Sequence, residues 1–204
     1  MAIHTRGRPR SFDRAAALDK ALRLFWERGY EATSVSDLTK ELGIGTPSLY
    51  AAFGDKQKLF NEALEAYGER YGGFAARAFA EEPTARAAAE RTLREAAAIY
   101  TTPEQPPGCM VIHAGINTTN SEIRDLLTGL RNGNVEAFEQ RIRADMAAGL
   151  LPVDTDARAL ARFTGGMLNG MSQASRDGAD RSELERVAAL AMLSWPDAPE
   201  PEEA

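Results

Sequence analysis

The sequence predicts an all-α protein of about nine helices, in which a small N-terminal three-helix domain precedes a larger helical bundle. Apolar residues recur at spacings of three and four, as at Leu18, Leu22 and Phe25, which is the period of a helix that buries one face. Apolar and polar residues never alternate over a useful length, so no strand is predicted. The connections between predicted helices are short, as is typical of a helical bundle.

Glycine, proline and hydroxyl residues mark the ends of the predicted helices. The first helix stops at Gly29, and Gly43-Ile44-Gly45 ends the second. Thr46-Pro47 begins the third with a hydroxyl cap followed by proline, and Gly54-Asp55 separates it from a longer fourth helix. In chain order the nine predicted helices span residues 13–28, 35–42, 47–53, 56 onward, 83–101, 109–118, 121–148, 156–175 and 182–195.

Composition divides the chain into four predicted segments. Residues 1–11 form a flexible basic arm, residues 12–58 the three-helix domain, residues 59–196 the bundle, and residues 197–204 a disordered acidic tail. The net charge of -6 hides an asymmetry between these parts. Residues 1–60 carry ten Lys or Arg against seven Asp or Glu, or +3, and the remainder carries 14 against 23, or -9. Opposite charges at the two ends predict different partners for the two ends.

Length and residue types exclude several classes of protein. No apolar run approaches the ~18–20 residues of a membrane span, and the first residues do not form a signal peptide, so we expect no membrane partner. The single cysteine excludes an internal disulfide, which favours a cytoplasmic location. One Cys and two His, His4 and His113, do not make a convincing metal site, and no cofactor is predicted.

The sharpest motif is a pair of short helices joined by the turn Gly43-Ile44-Gly45. Two helices joined by a three-to-four-residue turn that contains glycine form a helix-turn-helix, although an αα-corner without DNA has the same local pattern. The flanking sequence favours the first interpretation, because it resembles the DNA-binding domain of the TetR family of transcriptional regulators. The resemblance lies in ALRLFWERGY at 21–30, ATSVSDL at 32–38 and LGIGTPSLYAAFGDKQKL at 42–59. Pro47 departs from the family, which more often has a non-proline residue there.

The resemblance implies which residues contact DNA. Thr46, Pro47 and Ser48 would read base edges in the major groove, and Tyr50 would contact a phosphate or a thymine methyl. The backbone amides of Thr33 and Ser34, at a helix N-terminus, would bind a phosphate. Lys56 would meet another phosphate, unless it is an ordinary solvated lysine. The arm carries three arginines, Arg6, Arg8 and Arg10, which would enter the minor groove. The alternative is that the arm is a basic leader that only attracts DNA.

The resemblance also implies a homodimer and a small-molecule effector bound in the C-terminal bundle, with release from a palindromic operator. The residues that would form the dimer interface and the effector pocket could equally belong to an ordinary hydrophobic core, because core residues show the same periodicity. The candidate dimer interface comprises Phe163, Gly166, Met167, Gly170, Leu184, Val187, Ala191 and Trp195. The candidate effector pocket comprises Phe74, Tyr100, Cys109, Met110, His113, Asn117, Phe138, Phe163 and Met167.

Cys109 suggests a second way of releasing DNA. It follows Pro106-Pro107-Gly108 at a predicted helix N-terminus, where the helix dipole would lower a thiol pKa, and His113 follows four residues later. A repressor that senses oxidants or electrophiles through Cys109 is therefore the alternative function, with a buried inert thiol as its own alternative. A helical enzyme has no supporting catalytic motif, so no enzyme is predicted. A nonspecific architectural DNA binder is disfavoured by the net charge of -6.

Overall fold

A computed structural model describes residues 13–197, and this part of the chain is all-α. It contains ten α-helices and no strand, and the predicted fold class is confirmed. The helices are α1 Arg14–Ala32, α2 Val35–Leu42, α3 Thr46–Phe53, α4 Lys56–Tyr67, α5 Phe74–Glu81, α6 Ala85–Tyr100, α7 Met110–His113, α8 Ser121–Ala147, α9 Ala157–Arg176 and α10 Arg181–Met192.

The extra helix arises where the predicted fourth helix is interrupted. A π-helical turn at Gly68–Gly72 follows α4, and α5 then begins at Phe74. Glycine costs about 1 kcal/mol relative to alanine inside a helix, which explains why a glycine-rich stretch ends the regular α-helix. The predicted helix over 109–118 is also shorter, because only Met110–His113 is helical. The last helix ends at Met192 and leaves Trp195 in a turn.

Two apolar cores hold the described residues together. The first joins α1–α4 to α7 and the beginning of α8, and its largest buried side chains are Trp26, Tyr67, Phe25 and Phe60. The second lies between α5, α6, α8, α9 and α10. Leu59, Phe60 and Leu64 are all buried in the first core, so the predicted domain boundary after residue 58 falls inside a helix that packs with α1.

The C-terminal end of α1 is bound to the bundle at several points. The Trp26 indole donates to the Gly108 carbonyl (3.1 Å), and the Tyr30 amide donates to the Ala114 carbonyl (3.0 Å). Gly29 has a φ of 80°, a left-handed conformation in which glycine is strongly favoured, and this turns the chain toward Ala114. The hydroxyls of Thr118 and Thr119 both donate to the Glu31 carboxylate. The segment between α7 and α8 therefore connects the bundle directly to α1.

Among residues 13–197, no helix combines the length and apolar character needed to cross a membrane.

Candidate nucleic-acid interface and interior cavity

Local hydrogen bonds fix the helix-turn-helix. Ser34 caps α2, where its hydroxyl accepts from the Asp37 amide (3.0 Å) and its own amide donates to the Asp37 carboxylate (2.9 Å). This reciprocal capping box satisfies two amides that the helix itself leaves unpaired. Gly43 ends α2 with a φ of 70°, a left-handed conformation that favours glycine. The turn that joins α2 to α3 therefore follows from its sequence.

The third helix, α3, presents one face to the core and the other to solvent. Leu49 and Phe53 are buried against the first core. The four residues expected to read DNA are all exposed on the opposite side: Thr46, Pro47, Ser48 and Tyr50. Gly45 occupies the N-cap position and no side chain caps the helix, so the predicted cap by the Thr46 hydroxyl is wrong and Thr46 lies in the exposed first turn.

The amides of Thr33 and Ser34 do not offer the phosphate site expected for them. The Thr33 amide donates to Tyr30, its hydroxyl donates to the Gly29 carbonyl (2.7 Å), and the residue is fully buried. The Ser34 amide is occupied by Asp37. The sequence pattern identified the helix N-terminus correctly but not the side chains that would satisfy its first amides.

Two lysines lie beside α3. The Lys56 ammonium lies 4.2 Å from the centre of the Tyr30 ring, and burial lowers the pKa of this half-buried lysine. Lys58, one half-turn further along α4, is largely exposed and forms only a loose pair with Asp55 at 3.7 Å. Lys58 is thus a cation available to a phosphate that the sequence analysis did not select. The arm residues Arg6, Arg8 and Arg10 lie outside the described residues.

A cavity of about 280 Å³, here called the body cavity, lies between α5, α6, α8, α9 and the segment 109–112. Of the residues predicted to form the effector pocket, Phe74, Tyr100, Cys109 and Phe138 line this cavity. The other candidate residues lie elsewhere. Met110 is buried in the first core, and His113 and Asn117 line an open cleft beside α1. Phe163 and Met167 pack against the second core and are absent from the cavity lining.

The polar wall of the body cavity comes from residues that the sequence analysis did not select. Two arginines, Arg131 on α8 and Arg162 on α9, line the cavity, together with Asn132, Asn134 and Asn169. Polar residues on long helices usually indicate a solvent face, so no signal in the linear pattern distinguished these from their neighbours.

Cys109 packs against both apolar cores and is partly buried. The Tyr67 hydroxyl donates to the Cys109 sulfur (3.3 Å), but burial dominates and raises the pKa of the thiol. Cys109 does lie at the N-terminus of α7, as predicted, but the prediction of a lowered pKa is wrong, because this helix has only four residues and burial outweighs the hydrogen bonds that lower the pKa. The sensing hypothesis loses the physical basis on which it was made.

His113 should make the stability of the protein depend on pH. Its ring nitrogen Nε2 lies 2.9 Å from the Ser172 hydroxyl, and burial together with the Arg176 guanidinium lowers its pKa. The unfolded chain takes up this proton near pH 6.5, whereas the folded chain does so only at lower pH. The free energy of unfolding should therefore fall as the pH drops below about 6.5, by at most about 1.4 kcal/mol per pH unit from this group.

Urea unfolding at pH 7.5 and 5.5 checks this expectation with His113→Gln as the comparison. The glutamine can keep a hydrogen bond to Ser172 but cannot titrate, so the variant should lose less stability between the two pH values. An equal loss in both proteins would show that His113 does not bind its proton differently in the folded and unfolded chain.

The candidate dimer residues divide into buried and accessible groups. Leu184, Ala191 and Trp195 are buried within the chain's own second core. Gly166 and Gly170 on α9 are exposed, and Val187 on α10 is partly exposed. Two leucines that the sequence analysis did not select, Leu190 and Leu193, are 65% and 80% exposed at the end of α10.

A helix-turn-helix with an exposed second helix, joined to a helical bundle that has its own cavity, is the architecture of a class of DNA-binding regulators. Comparison with known proteins agrees. Residues 17–63 match the model for bacterial regulatory proteins of the tetR family, and residues 85–191 match the tetracyclin repressor-like C-terminal domain. The chain therefore belongs to the TetR family of transcriptional regulators.

Individual relatives cover almost the whole chain. It is 34% identical to the HTH-type transcriptional repressor ComR of Escherichia coli K12 over 197 residues, which is 95% of this chain and 93% of ComR. It is also 34% identical to the repressor BdcR of the same organism, over 91% of this chain and 90% of BdcR. Among solved structures, a cysteine mutant of the TetR family regulator CifR in complex with 26-base-pair operator DNA is 40% identical. It matches with a TM-score of 0.86 over 93% of this chain and 100% of that chain.

Proposed function

We propose that this protein is a transcriptional repressor that binds a palindromic operator as a homodimer and is released by a small molecule in the body cavity. The exposed face of α3 is the observation that carries the proposal. Thr46, Ser48 and Tyr50 are exposed on a helix whose Leu49 and Phe53 side chains are buried in the first core. The names of ComR and BdcR support repression, and the operator complex of CifR supports a DNA operator as partner. Such a regulator would work in the cytoplasm, where the DNA is.

The proposed dimer face lies on α9 and α10. Exposed Leu190 and Leu193 offer apolar area, and Gly166 and Gly170 allow a second helix to approach closely. Leu184, Ala191 and Trp195 support this face from inside, since their side chains pack in the second core. Two copies joined in this way would present two α3 helices, which suits an inverted repeat.

In the proposed release, the segment between residues 109 and 119 would transmit ligand binding from the body cavity to α1. Cys109, Val111 and Ile112 line the body cavity. A few residues later, Ala114 accepts the hydrogen bond from Tyr30, and Thr118 donates to Glu31 at the end of α1. A ligand that displaces the cavity wall would therefore move α1, and with it the helix-turn-helix.

Selection of bound DNA from a random library tests the proposal. The full chain should enrich an inverted repeat, because two symmetric copies read two half-sites. Light scattering of the same preparation should give twice the chain mass of 22.1 kDa. If no sequence is enriched at low or moderate salt, the regulator function is excluded. Enrichment of a single half-site by a monomer would exclude the dimer alone.

A further inference from the structure

Two arginines that line the body cavity form no ion pair within the part of the chain that the structure describes. Arg131 donates to the Val111 carbonyl (2.8 Å) and the Thr128 hydroxyl (3.1 Å), and Arg162 donates to the Asn132 side chain (3.0 Å). All three acceptors are neutral. Neither arginine takes part in an ion pair with any acid of residues 13–197.

Other arginines of the same two helices behave differently. Arg158, one turn before Arg162 on α9, pairs with Glu139 at 2.7 Å, and Arg143 on α8 pairs with the same carboxylate at 2.8 Å. Away from the cavity, arginines of α8 and α9 are therefore paired with an acid. At the cavity the same helices present guanidinium groups without an acid partner.

Arg131 is the more buried of the two arginines. The side chain is half-buried, and burial lowers its pKa. Guanidinium remains charged in proteins, and a charge withdrawn from water is normally paired. Its planar fork matches a carboxylate through two parallel hydrogen bonds. An anion in the cavity would supply the missing partner.

The remaining walls define the rest of the ligand. Phe74, Val135, Phe138 and Leu168 contribute apolar side chains to the lining of the cavity. The volume of about 280 Å³ is roughly twice the ~150 Å³ of a cavity that holds benzene. This space suits one ring or a short branched chain with a single charged group.

We propose that the effector is a small apolar carboxylate whose anionic group is held by Arg131 and Arg162. The proposal rests on the proposed function, because it identifies the chemical class of the releasing molecule. Asn132, Asn134 and Asn169 also line the cavity, and their amide groups are hydrogen-bond donors suited to its oxygens.

Calorimetry on the protein without DNA tests the site itself. The probes are benzoate, phenylacetate and 3-methylbutanoate, each compared with its own amide, which has nearly the same shape without the charge. At least one carboxylate should bind ~10-fold or more tightly than its amide, because a hydrogen-bonded charge pair is stronger than a neutral one. If no carboxylate binds more tightly than its amide, the proposal is overturned.

Variants then assign the preference to the two arginines. Arg162→Gln and Arg131→Gln should each weaken binding of the preferred carboxylate ~10-fold and leave the amide nearly unaffected. If Arg131→Gln fails to fold because it loses the hydrogen bond to Val111, the proposal is still tested by Arg162→Gln. Arg162 is exposed, so its replacement does not disturb the core. Arg158→Gln is the matched control on α9, since Arg158 does not line the cavity, and it should bind like the unaltered protein. Unchanged binding in Arg162→Gln would overturn the assignment.

Release from DNA is measured separately, by fluorescence anisotropy of a labelled operator obtained from the library selection. A carboxylate that binds with the expected preference and releases the operator supports both proposals. Binding with that preference but without release would establish the site and refute the releasing role proposed above.

Discussion

Replacing Ser48 with glutamate should abolish operator binding without unfolding the protein. Ser48 is exposed on the first turn of α3, where a longer side chain meets no core residue. In the groove, its carboxylate would face the phosphate charge of DNA, and like charges brought together across an interface cost several kcal/mol. We expect the dissociation constant for the selected operator to rise ~100-fold or more, measured by fluorescence anisotropy.

Ser182→Glu is the matched control for this substitution. Ser182 is also an exposed serine in the first turn of a helix, α10, and belongs to the acidic part of the chain. The same change of charge should therefore leave operator affinity within about threefold, as weak long-range repulsion is screened at physiological salt. Equal losses in both variants would mean that the net charge, and not the surface of α3, controls binding.

The helix-turn-helix could be predicted from sequence because its determinants are local. Gly43 stops α2, Ser34 and Asp37 cap it, and Leu49 marks the buried side of α3. Each of these signals lies within a few residues of the structure that it specifies. The fold class followed from the same kind of evidence, since the helical period is read within one helix.

The body cavity could not be predicted in this way, because distant segments form it. Arg131 and Arg162 lie on different helices, and the packing of α8 on α9 brings both to the same cavity. His113 and Asn117 are polar residues on an apolar segment, which predicts a pocket, but His113 contacts the Ser172 hydroxyl and Asn117 lies beyond the end of α7, and both line the cleft beside α1. Periodicity likewise did not reveal that Leu184 and Trp195 face inward while Leu190 and Leu193 face outward.

Replacing Trp26 with alanine should cause the largest loss of stability among single substitutions considered for this chain. Trp26 is 1% exposed, packs edge-on against Tyr67 with ring centres 4.8 Å apart, and contacts Tyr71 at 5.1 Å. Its indole also donates to the Gly108 carbonyl. Truncation of a buried aromatic residue to alanine typically costs ~3–5 kcal/mol, through lost burial and the cavity left behind. Urea unfolding at neutral pH measures the change.

Trp26→Phe separates packing from the hydrogen bond. The phenyl ring keeps most of the contact with Tyr67 but leaves the Gly108 carbonyl unpaired, a loss of ~1–3 kcal/mol for a buried acceptor. Val153→Ala, at an 89% exposed position, should change stability by no more than about 0.5 kcal/mol. Because Gly108 adjoins Cys109 at the cavity wall, both Trp26 variants should also weaken the effect of a bound effector on α1. If Trp26→Ala unfolds no more easily than Val153→Ala, the contact between α1 and the bundle does not hold the two parts together.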